Sequence, residues 1–564
     1  MIGVIGNPRP RERVSGRDTV VLIPAAGRVP EGVLALSNVG CTAMIPVGGR
    51  PVIYWTMSYL RAQGLRRFVV AVPRRGLFIE DFVDCAFGDN CEVEFIVPSA
   101  GRGVGGTVNE LAQHAEAESA LVVLGDTYFQ LPTGAPLAGA EPFVLVHPVD
   151  ESYRWCVAEV DAEGIVRALH DKRVGLAPSS PALIGVYYFP SLEGLRAAAS
   201  DAAAAATSGR IEMTDILDRV RREQPLRAIR AGDWLDCGNP DRQAASHRAL
   251  LQKRDFNEFA IDETFGTITK RSRNVEKFVD EINYLRALPP ELAVLFPRVL
   301  DYSVAADSPW LRMEYYGYPS LAEVFVFENL DPGIWERIFQ HLRRLVTEGF
   351  MRHAQPLGRG AVRSMYLDKT RQRLDALTSE PLAGLVRHAG PITLNGREVK
   401  NLPQVWDRLG RAVDDLERTA RGAVIHGDLC LSNILYDLRA RICKLVDPRG
   451  SFGSSGISGD PRYDVAKLYH SVYGRYDFIT HDLFRVRLDG TRLDLEVRAT
   501  PQHDEIRRRF EAVFFSDFER RDILLITALQ FASMPALHYD SPQRQLAMYA
   551  TALQLLDEAF AEPP

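Results

Sequence analysis

The sequence predicts an α/β protein built from two successive domains, and three observations support this interpretation. The chain has 564 residues, more than one hydrophobic core usually holds. From Thr19 onward, short apolar runs alternate with segments of helical spacing, as in an α/β sheet domain. Near residue 252 this pattern gives way to strand-like segments followed by long helices, which indicates a two-lobed α+β domain. We therefore expect a flexible leader and two domains, over residues 1–18, 19–252 and 253–564.

Composition excludes several classes of protein. With 46% hydrophobic and 25% charged residues, the chain resembles an ordinary globular protein. A net charge of -6 argues against a nucleic-acid partner. Seven cysteines without a CxxC pair favour a reducing cytoplasm over disulfides or zinc. No apolar run is long enough to span a membrane, and the opening residues lack a signal-peptide pattern. We expect a cytoplasmic protein, and a homo-oligomer is compatible with these features.

The elements of the first domain follow from local patterns. Four short apolar runs that end near Gly or Pro predict buried parallel strands, namely "TVVLIPAAG", "RRFVVAVP", "CEVEFIVP" and "SALVVLGD". Helical spacing predicts helices over "PVIYWTMSYLRAQG" and "TVNELAQHAEAE". The segment "WCVAEVDAEGIVRALHDK" predicts a hairpin that turns at Glu163 and Gly164, and "ALIGVYYFP" predicts a further strand. The alanine-rich "LRAAASDAAAAATSG" predicts an exposed, partly loose helix.

The second domain opens with strands and continues with helices. Strand-like "FNEFAIDETFGTITKRS" precedes a helix over "NVEKFVDEINYLRAL", and helical stretches follow between residues 321 and 385. Two hairpins are expected later, one over "NILYD" and "ICKLVD", the other over "FRVRLDGTRLDLEV" with its turn at Asp489 and Gly490. This order of elements predicts a small sheet lobe and a larger helical lobe.

The segment "HGDLCLSN" carries the side chains that phosphoryl transfer requires. That reaction needs a base at the accepting hydroxyl, oxygen ligands for magnesium and a cation on the nucleotide phosphates. Asp428 is suited to orient and deprotonate the hydroxyl, and Asn433 lies five residues further on, where the same loop can offer a metal ligand. Asp447 ends the strand "ICKLVD", where a carboxylate can bridge magnesium to phosphate. Upstream, Lys270 ends a strand and Glu281 lies in the next helix, the pairing that holds phosphates in kinase folds.

Residues 255–564 resemble the aminoglycoside phosphotransferase and choline-kinase branch of the protein-kinase-like fold. The resemblance rests on "HGDLCLSN", "LVDPRG" and "GDPRYDVAKL". It implies Asp428 as catalytic base, Asn433 and Asp447 as magnesium ligands, and Lys270 on ATP. Two departures stand out. The third motif is Asp-Pro-Arg instead of Asp-Phe-Gly, and "DETFGTI" holds one glycine where a glycine-rich phosphate loop is usual.

Two aspartates of the first domain suit nucleotidyl transfer, in which magnesium sits between carboxylates and neutralises the reacting phosphates. Asp126 follows a buried strand in "LGDTYF", at the carboxyl end where α/β sheets bind ligands. Asp236 lies in "DWLDCGNP".

Residues 19–252 resemble the sugar nucleotidyltransferases, the nucleoside-diphosphate-sugar pyrophosphorylases, whose fold is Rossmann-like and of the GT-A type. The matching segments are "IPAAGR", "AMIPVGGRPVIYW", "LGDTYF", "LHDKR", "ALIGVYYF", "IEMTDIL" and "WLDCGNP". The resemblance implies Asp126 and Asp236 as magnesium ligands and Lys172 as the catalytic cation on the substrate phosphate. It implies further substrate contacts from Asp171, Gly185 and Glu212. It places the nucleotide against Ala26, Gly27, Arg28, Gly105, Gly106 and Thr107.

Two cations of that family are missing. The glycine-rich loop normally carries an arginine, and a lysine normally precedes the "MIPV" segment. These slots hold Glu31 and Thr42. Arg28, Arg50 or Arg102 are the candidates to supply the charge instead.

Three functions remain open from the sequence. The first joins the halves: a kinase phosphorylates a sugar, and a nucleotidyltransferase couples that phosphate to a second nucleoside triphosphate, for bacterial surface polysaccharide or lipid decoration. A variant of it uses choline or another amino alcohol and gives a CDP-linked product. The second makes the first domain a non-catalytic nucleotide-binding module that regulates the kinase. The third, a drug-inactivating phosphotransferase, is disfavoured because such an enzyme needs no pyrophosphorylase partner. All require Mg²⁺ and ATP, and the first requires a second nucleoside triphosphate.

Overall fold

A computed structural model describes residues 18–27, 41–74, 77–88, 90–132, 137, 139–207, 209–238, 257–305, 307–328 and 330–561. Two compact units divide these residues, one holding 18–238 and the other 257–561. Each unit is described on its own below. Among the described residues, no helix is both long and apolar enough to cross a bilayer.

The first unit is built on a mixed β-sheet. Its described strands are β1 (Thr19–Pro24), β2 (Pro46–Val47), β3 (Arg50–Pro51), β4 (Arg67–Ala71), β5 (Glu92–Ile96), β6 (Ser119–Val123), β7 (Thr127–Gln130), β8 (Phe143–Val149), β9 (Cys156–Val160), β10 (Val166–Asp171), β11 (Ser180–Phe189), β12 (Arg227–Arg230) and β13 (Asp233–Asp236). The main path of the sheet runs β10-β9-β11-β6-β1-β4-β5, with β8 beside β11 and β12 beside β8. Strands β6, β1, β4 and β5 are parallel, as predicted.

The other half of the sheet corrects the prediction of a parallel sheet. β11 runs antiparallel to β6, β8 and β9, and β9 pairs antiparallel with β10 as the predicted hairpin. Parallel pairing needs a crossover connection, usually a helix. Between β6 and β11 the described chain contains no α-helix. The strands there turn back on one another instead.

Five described helices cover this sheet: α1 (Val52–Ala62), α2 (Leu77–Phe87), α3 (Gly103–His114), α4 (Leu192–Ala205) and α5 (Met213–Glu223). The alanine-rich α4 is regular, and the prediction of an exposed, loose helix was wrong. Leu192, Leu195 and three of its alanines are buried in the core. Small side chains allow α4 to pack against both α3 and α5. Ser191 caps its first turn by accepting a hydrogen bond from the Gly194 amide.

The second unit begins with an antiparallel sheet of order β14-β15-β17-β16. Its described strands are β14 (Asn257–Asp262), β15 (Thr267–Ser272), β16 (Val299–Ser303), β17 (Trp310–Glu314), β18 (Ile392–Leu394), β19 (Arg397–Val399), β20 (Ala423–Val424), β21 (Ile434–Asp437), β22 (Ile442–Leu445), β23 (Ser451–Phe452), β24 (Ser454–Ser455), β25 (Ser458–Gly459), β26 (Phe484–Asp489) and β27 (Arg492–Val497). The expected hairpins β21–β22 and β26–β27 are present.

The rest of this unit is mainly helical. Its described helices are α6 (Val275–Ala287), α7 (Pro290–Ala293), α8 (Leu321–Phe327), α9 (Pro332–Arg344), α10 (Ala361–Arg363), α11 (Lys369–Asp375), α12 (Leu382–Arg387), α13 (Leu402–Thr419), α14 (Pro461–Val472), α15 (Tyr476–Thr480), α16 (Pro501–Phe514), α17 (Arg520–Ser533) and α18 (Pro542–Ala561). Phe278 and Ile282 of α6 pack on Leu311 and Met313 of β17, which joins the helix to the small sheet. α14 is buried along nearly its whole length, so it forms the centre of the helical part.

Candidate active sites

The loop between β20 and β21 is held rigid by α14. The backbone amides of His426 and Gly427 donate to the two oxygens of Asp464, at 2.7 and 2.8 Å. The His426 ring accepts from the Asp428 amide through Nδ1 at 3.2 Å, and Nε2 donates to the Val446 carbonyl at 3.1 Å. Burial lowers the pKa of His426 to about 4, so the ring is neutral, as this tautomer requires. His426 therefore positions the loop.

Glycine is required at 427 for two reasons. Its φ is 78°, in the left-handed region, and a Cβ there would lie 2.8 Å from the Cβ of Arg449. Geometry thus explains the "His-Gly-Asp" pattern. The histidine side chain fixes the loop through its hydrogen bonds, the glycine adopts the left-handed conformation of the turn, and the aspartate follows the turn.

Asp428 is an ionised carboxylate that stays accessible. Its Oδ1 lies 2.9 Å from the Lys467 ammonium, and its side chain keeps 39% of its surface exposed. Burial alone would raise the pKa of Asp428, but Lys467 and Arg449 hold it below its ordinary value. The Asn433 amide donates to the Asp428 backbone carbonyl at 2.9 Å. The arrangement offers a carboxylate that can accept a hydrogen bond from a hydroxyl group.

Lys270 joins the small sheet to the end of the β21–β22 hairpin. Its ammonium lies 2.8 Å from both oxygens of Glu281 and 2.7 Å from Asp447 Oδ1. Burial would lower the pKa of Lys270, but the two carboxylates raise it, so the side chain is charged. The Val446 amide donates to the Asn433 carbonyl at 3.0 Å, which brings Asn433 and Asp447 to the same end of the hairpin. All five sequence-predicted kinase residues therefore come together.

The oxygen donors at this point suit a hard divalent cation. Asp447 has a φ of 56°, unusual for a residue other than glycine, and half of its side chain is exposed. An Asn amide oxygen and an Asp carboxylate are donors that Mg²⁺ accepts together with substrate phosphates. A metal held there would neutralise charge on the transferred phosphoryl group.

Sequence reasoning missed three residues that shape this site: Asp464, Lys467 and Arg449. Asp464 and Lys467 stand in the quoted segment "GDPRYDVAKL", three residues apart and hence on one face of α14. That spacing was a usable signal, since a buried charged pair on an apolar helix needs partners. The contact of Arg449 with the loop depends on tertiary structure alone.

In the first unit, a two-stranded ribbon brings the two predicted metal ligands together. β13 pairs antiparallel with β7, which sets Asp236 opposite Thr127. The Cys237 amide donates to the Asp126 carbonyl at 3.0 Å. The Gly238 amide donates to Asp236 Oδ1 at 3.1 Å, and a Cβ at Gly238 would lie 2.4 Å from Asp126 Oδ2. The chain at Gly238 therefore passes directly over the Asp126 carboxylate.

Asp126 stands at the carboxyl end of β6, beside the end of β1. A Cβ at Gly125 would meet Ala25 at 3.0 Å and Ala43 at 3.1 Å. Thr42 hydrogen-bonds the Asp126 carboxylate, which lowers its pKa, but burial is the larger effect and raises it. A partly buried carboxylate whose negative charge is disfavoured by burial, with a second carboxylate on the paired strand, fits a divalent cation. Thr42, in the slot of the family lysine, is thus hydrogen-bonded to the predicted metal ligand.

Other predicted residues of this unit are distributed more widely. Gly105 donates its amide to the Ile211 carbonyl at 3.0 Å, and a Cβ there would lie 2.6 Å from the Glu212 carbonyl. Gly185 has a φ of 85° and packs on Leu124, which precedes the Gly125-Asp126 turn. These glycines have structural reasons for being glycine. Glu212 is the N-cap residue of α5, and its backbone amide donates to Asp215 Oδ2 at 2.9 Å.

The remaining predicted residues lie in three places. Gly27 lies near Thr42, since a Cβ there would be 3.5 Å from the Thr42 hydroxyl, and Ala26 precedes it in the loop after β1. Thr107 donates to the Gly103 carbonyl at 3.3 Å within α3, and Gly106 packs on Arg102. Asp171 ends β10 and Lys172 follows it with a φ of 50°, both exposed. In the described residues no hydrogen bond or ion pair joins Asp171 or Lys172 to Asp126.

The candidate replacement cations differ in accessibility. Arg50 is buried with its guanidinium 4.1 Å from the Tyr54 ring centre. Arg102 precedes α3 with 56% of its side chain exposed. Arg28 and Glu31 lie outside the described residues.

The first unit has paired carboxylates at its strand ends, and the second has a Lys–Glu–Asp triad beside an accessible aspartate. These are features expected of a nucleotidyltransferase and a phosphotransferase. Comparison with protein families agrees. Residues 33–253 match the nucleotidyl transferase family, and residues 263–489 match the phosphotransferase enzyme family. The chain therefore contains a nucleotidyltransferase domain followed by a phosphotransferase domain of the aminoglycoside phosphotransferase and choline-kinase type, which confirms the predicted fusion. The two matches support a bifunctional phosphotransferase and nucleotidyltransferase.

Solved structures give further likenesses. HddC from Yersinia pseudotuberculosis complexed with GMP-PN is 20% identical, with a TM-score of 0.32, over 41% of this chain and 99% of that chain. A putative glucose-1-phosphate thymidylyltransferase from Bacillus anthracis in complex with a sucrose is 19% identical, with a TM-score of 0.36, over 42% and 97%. A UDP-glucose pyrophosphorylase complexed with UDP-glucose is 18% identical, with a TM-score of 0.37, over 42% and 99%. A search of curated proteins found no significant match.

Proposed function

We propose that the two domains catalyse consecutive reactions on one small molecule. The phosphotransferase domain moves the γ-phosphoryl group of ATP to a sugar hydroxyl, which releases ADP and the hydroxyl proton. The phosphate of that product then attacks the α-phosphorus of a second nucleoside triphosphate in the nucleotidyltransferase domain. Pyrophosphate leaves, and a nucleotide-activated sugar forms. Such a product would serve surface polysaccharide or lipid decoration.

The single observation that carries this proposal is that each domain brings together side chains suited to its reaction. Asp428 is ionised and accessible beside the Lys270–Glu281–Asp447 triad. Asp126 and Asp236 are drawn together by the β7–β13 ribbon and the close passage of Gly238. In this proposal Asp428 accepts the hydroxyl proton, and Lys270 leaves Asp447 to bind nucleotide phosphate. Magnesium would be held by Asn433 and Asp447 in one domain and by Asp126 and Asp236 in the other.

Pyrophosphate release tests the proposal. Full-length protein is incubated with Mg²⁺, ATP, each of CTP, GTP and UTP, and a panel of hydroxyl compounds. We expect pyrophosphate only with ATP, one further triphosphate and an acceptor that the kinase domain phosphorylates. Asp126→Asn should abolish pyrophosphate and leave ADP formation intact, whereas Asp428→Asn should abolish both.

One observation favours a second candidate function for the first domain. Thr42 stands where the family has a lysine, and it hydrogen-bonds Asp126. A domain without that cation could bind nucleotide and regulate the kinase. ADP formation that changes with CTP, GTP or UTP, with no pyrophosphate under any condition, would support this function and contradict the coupled one.

A further inference from the structure

Three basic side chains, which we call the basic cluster, lie within range of the Asp428 charge: Lys369, Arg373 and Arg449. Lys369 and Arg373 lie one turn apart on the same face of α11. Arg449 follows the β22 strand, and its Cβ packs against Gly427. Each lies close enough to Asp428 for their charges to interact. Lys277, which is exposed near the start of α6, also interacts electrostatically with Arg449, Arg373 and Asp428.

In the described part of the chain, the members of the basic cluster hydrogen-bond to neutral groups. Among the described residues, Lys369 Nζ has one hydrogen-bond acceptor, the Met365 sulfur at 3.7 Å. Arg373 donates to the hydroxyl and carbonyl oxygens of Ser533 at 3.2 and 3.4 Å. Arg449 donates to the Tyr463 hydroxyl at 3.3 Å. Within the described ranges none of the three forms an ion pair with a carboxylate.

This arrangement is electrostatically costly in the free protein. Burial and the neighbouring Arg449 and Arg373 lower the pKa of Lys369 to about 6. Burial, followed by repulsion from the nearby Arg449, lowers the pKa of Arg373. Partly buried like charges destabilise one another unless an anion binds between them. An anionic ligand would remove the repulsion.

The position of the basic cluster favours the acceptor over ATP as the source of that anion. On the sheet side, Lys270 is paired with Glu281 and Asp447 and is the cation placed to meet nucleotide phosphates. Lys369 and Arg373 instead belong to α11, which packs on α17 through the Arg373–Ser533 contact. Asp428 must touch the accepting hydroxyl, so side chains that approach it from the helical part border the acceptor.

We infer that the acceptor of the phosphotransferase domain carries a phosphate or carboxylate group, which Lys369, Arg373 and Arg449 bind while Asp428 orients its hydroxyl. The inference rests on the proposed kinase function. It excludes choline and other amino alcohols, because an ammonium group would meet a set of like charges. Lys369 and Arg373 are then specificity-determining residues, and the anion sets which hydroxyl reaches Asp428.

Sulfate binding tests the anion site directly. Full-length protein is saturated with Mg²⁺ and AMP-PNP, so that the nucleotide phosphate positions are filled, and is then titrated with sulfate by calorimetry. We expect sulfate to bind this complex, and Lys369→Gln and Arg373→Gln each to weaken its binding about 10-fold. Lys369→Arg should retain it. Arg371→Gln is the matched control, because Arg371 lies on the same helix but is exposed with its guanidinium near Trp406.

Three results would overturn the inference. AMP-PNP could abolish sulfate binding, which would assign the basic cluster to the γ-phosphate of ATP. Lys369→Gln and Arg373→Gln could bind sulfate like the unaltered protein. Choline could be phosphorylated with a KM that neither substitution changes. If AMP-PNP itself fails to bind, the proposed kinase function fails, and sulfate titration without nucleotide still decides whether the basic cluster is an anion site.

Steady-state kinetics shows whether the anionic group of the acceptor is a phosphate or a carboxylate. Glucose, glucose 6-phosphate, glucuronate and choline are compared as acceptors or as competitive inhibitors against the panel compound that is turned over. We expect glucose 6-phosphate or glucuronate to bind at least 10-fold more tightly than glucose, and Arg373→Gln to remove that preference without changing the KM for ATP. An unchanged preference would contradict the inference.

Discussion

At the scale of single residues, the Asp428 carboxylate is both ionised and accessible to a substrate. Lys467 and Arg449 keep it charged, Asn433 and the His426 ring fix its backbone, and part of its carboxylate faces outward. The sequence predicted Asp428, Asn433 and Asp447 because loop spacing alone places them. Lys467 was open to prediction from its spacing with Asp464 on α14, whereas the approach of Arg449 depends on how the segment after β22 packs against the loop.

Replacing Asp428 with asparagine should therefore remove the base and leave the fold. We expect kcat of the kinase reaction to fall about 10²–10⁴-fold, with the affinity for AMP-PNP nearly unchanged, because the carboxylate acts on the acceptor. Steady-state ADP formation and calorimetry measure the two quantities. Asp415→Asn is the control, since that carboxylate is exposed on α13 and pairs with Arg418. A variant that keeps more than about a tenth of the rate would exclude Asp428 from this role.

The low pKa of Lys369 gives sulfate binding a pH dependence of predictable sign. In the free protein Lys369 is mostly neutral above pH 6, whereas a bound anion favours its charged form. Binding therefore takes up a proton, and affinity should fall as the pH rises from about 6 to 8, by up to about tenfold per pH unit. Below about pH 6 the side chain is already charged, and affinity should level off.

The neighbouring groups should contribute little to this slope. Lys467 beside Asp428 stays charged across the range, because burial is outweighed by the neighbouring carboxylate, and Asp428 itself stays ionised. Lys277 is exposed at the start of α6, so solvent screens its interaction with a bound anion. Calorimetry of the AMP-PNP complex between pH 5.5 and 8.5 measures the effect, with Lys369→Gln as the comparison. An equal slope in Lys369→Gln would show that another group titrates.

At the scale of elements, the β7–β13 ribbon decides whether the first domain can hold a metal. The sequence indicated Asp126 and Asp236, but only their pairing across this ribbon and the passage of Gly238 show that they meet. Local sequence pattern also gave wrong predictions for the burial of α4 and the direction of β11, because long-range packing determines both. α4 is buried because α3 and α5 flank it, and β11 is antiparallel because no described helix connects it to β6.

Gly238→Ala should displace the Asp126 carboxylate, because the added Cβ would lie 2.4 Å from Oδ2. We expect magnesium-dependent pyrophosphate release to fall about 10–100-fold, the usual effect of disturbing a ligand's support, with ADP formation unchanged. Gly232→Ala is the matched control at the start of the same ribbon, where the nearest atom would be 3.4 Å away. Equal activity of both variants would mean that the Asp126 position is not critical.

At the scale of the whole molecule, each unit has its own sheet and its own buried core. One core lies among β1, β6, α3, α4 and α5, and another joins α6 to the small sheet of the second unit. The sequence indicated this division through the change of pattern near residue 252. The helices of the second unit could be predicted only coarsely from the sequence, because the predicted helical stretch over 321–385 forms several short helices in the structure.

The two domains should therefore fold separately. We expect fragments 1–252 and 253–564 each to be soluble and to unfold cooperatively by circular dichroism, and the second fragment to bind AMP-PNP. Fragments that stay insoluble alone but dissolve when produced together would contradict independent folding.

The fate of the γ-phosphoryl group of ATP tests the coupled function most directly. The full-length protein is given Mg²⁺, ATP labelled with ³²P at the γ-position, an unlabelled second nucleoside triphosphate and an acceptor that it phosphorylates. The coupled reactions predict that the label passes into the linking phosphate of a nucleotide product, resists alkaline phosphatase, and is absent from the pyrophosphate released. If all label stays in a phosphatase-sensitive monoester with CTP, GTP and UTP alike, while ADP still forms, the coupled function is contradicted.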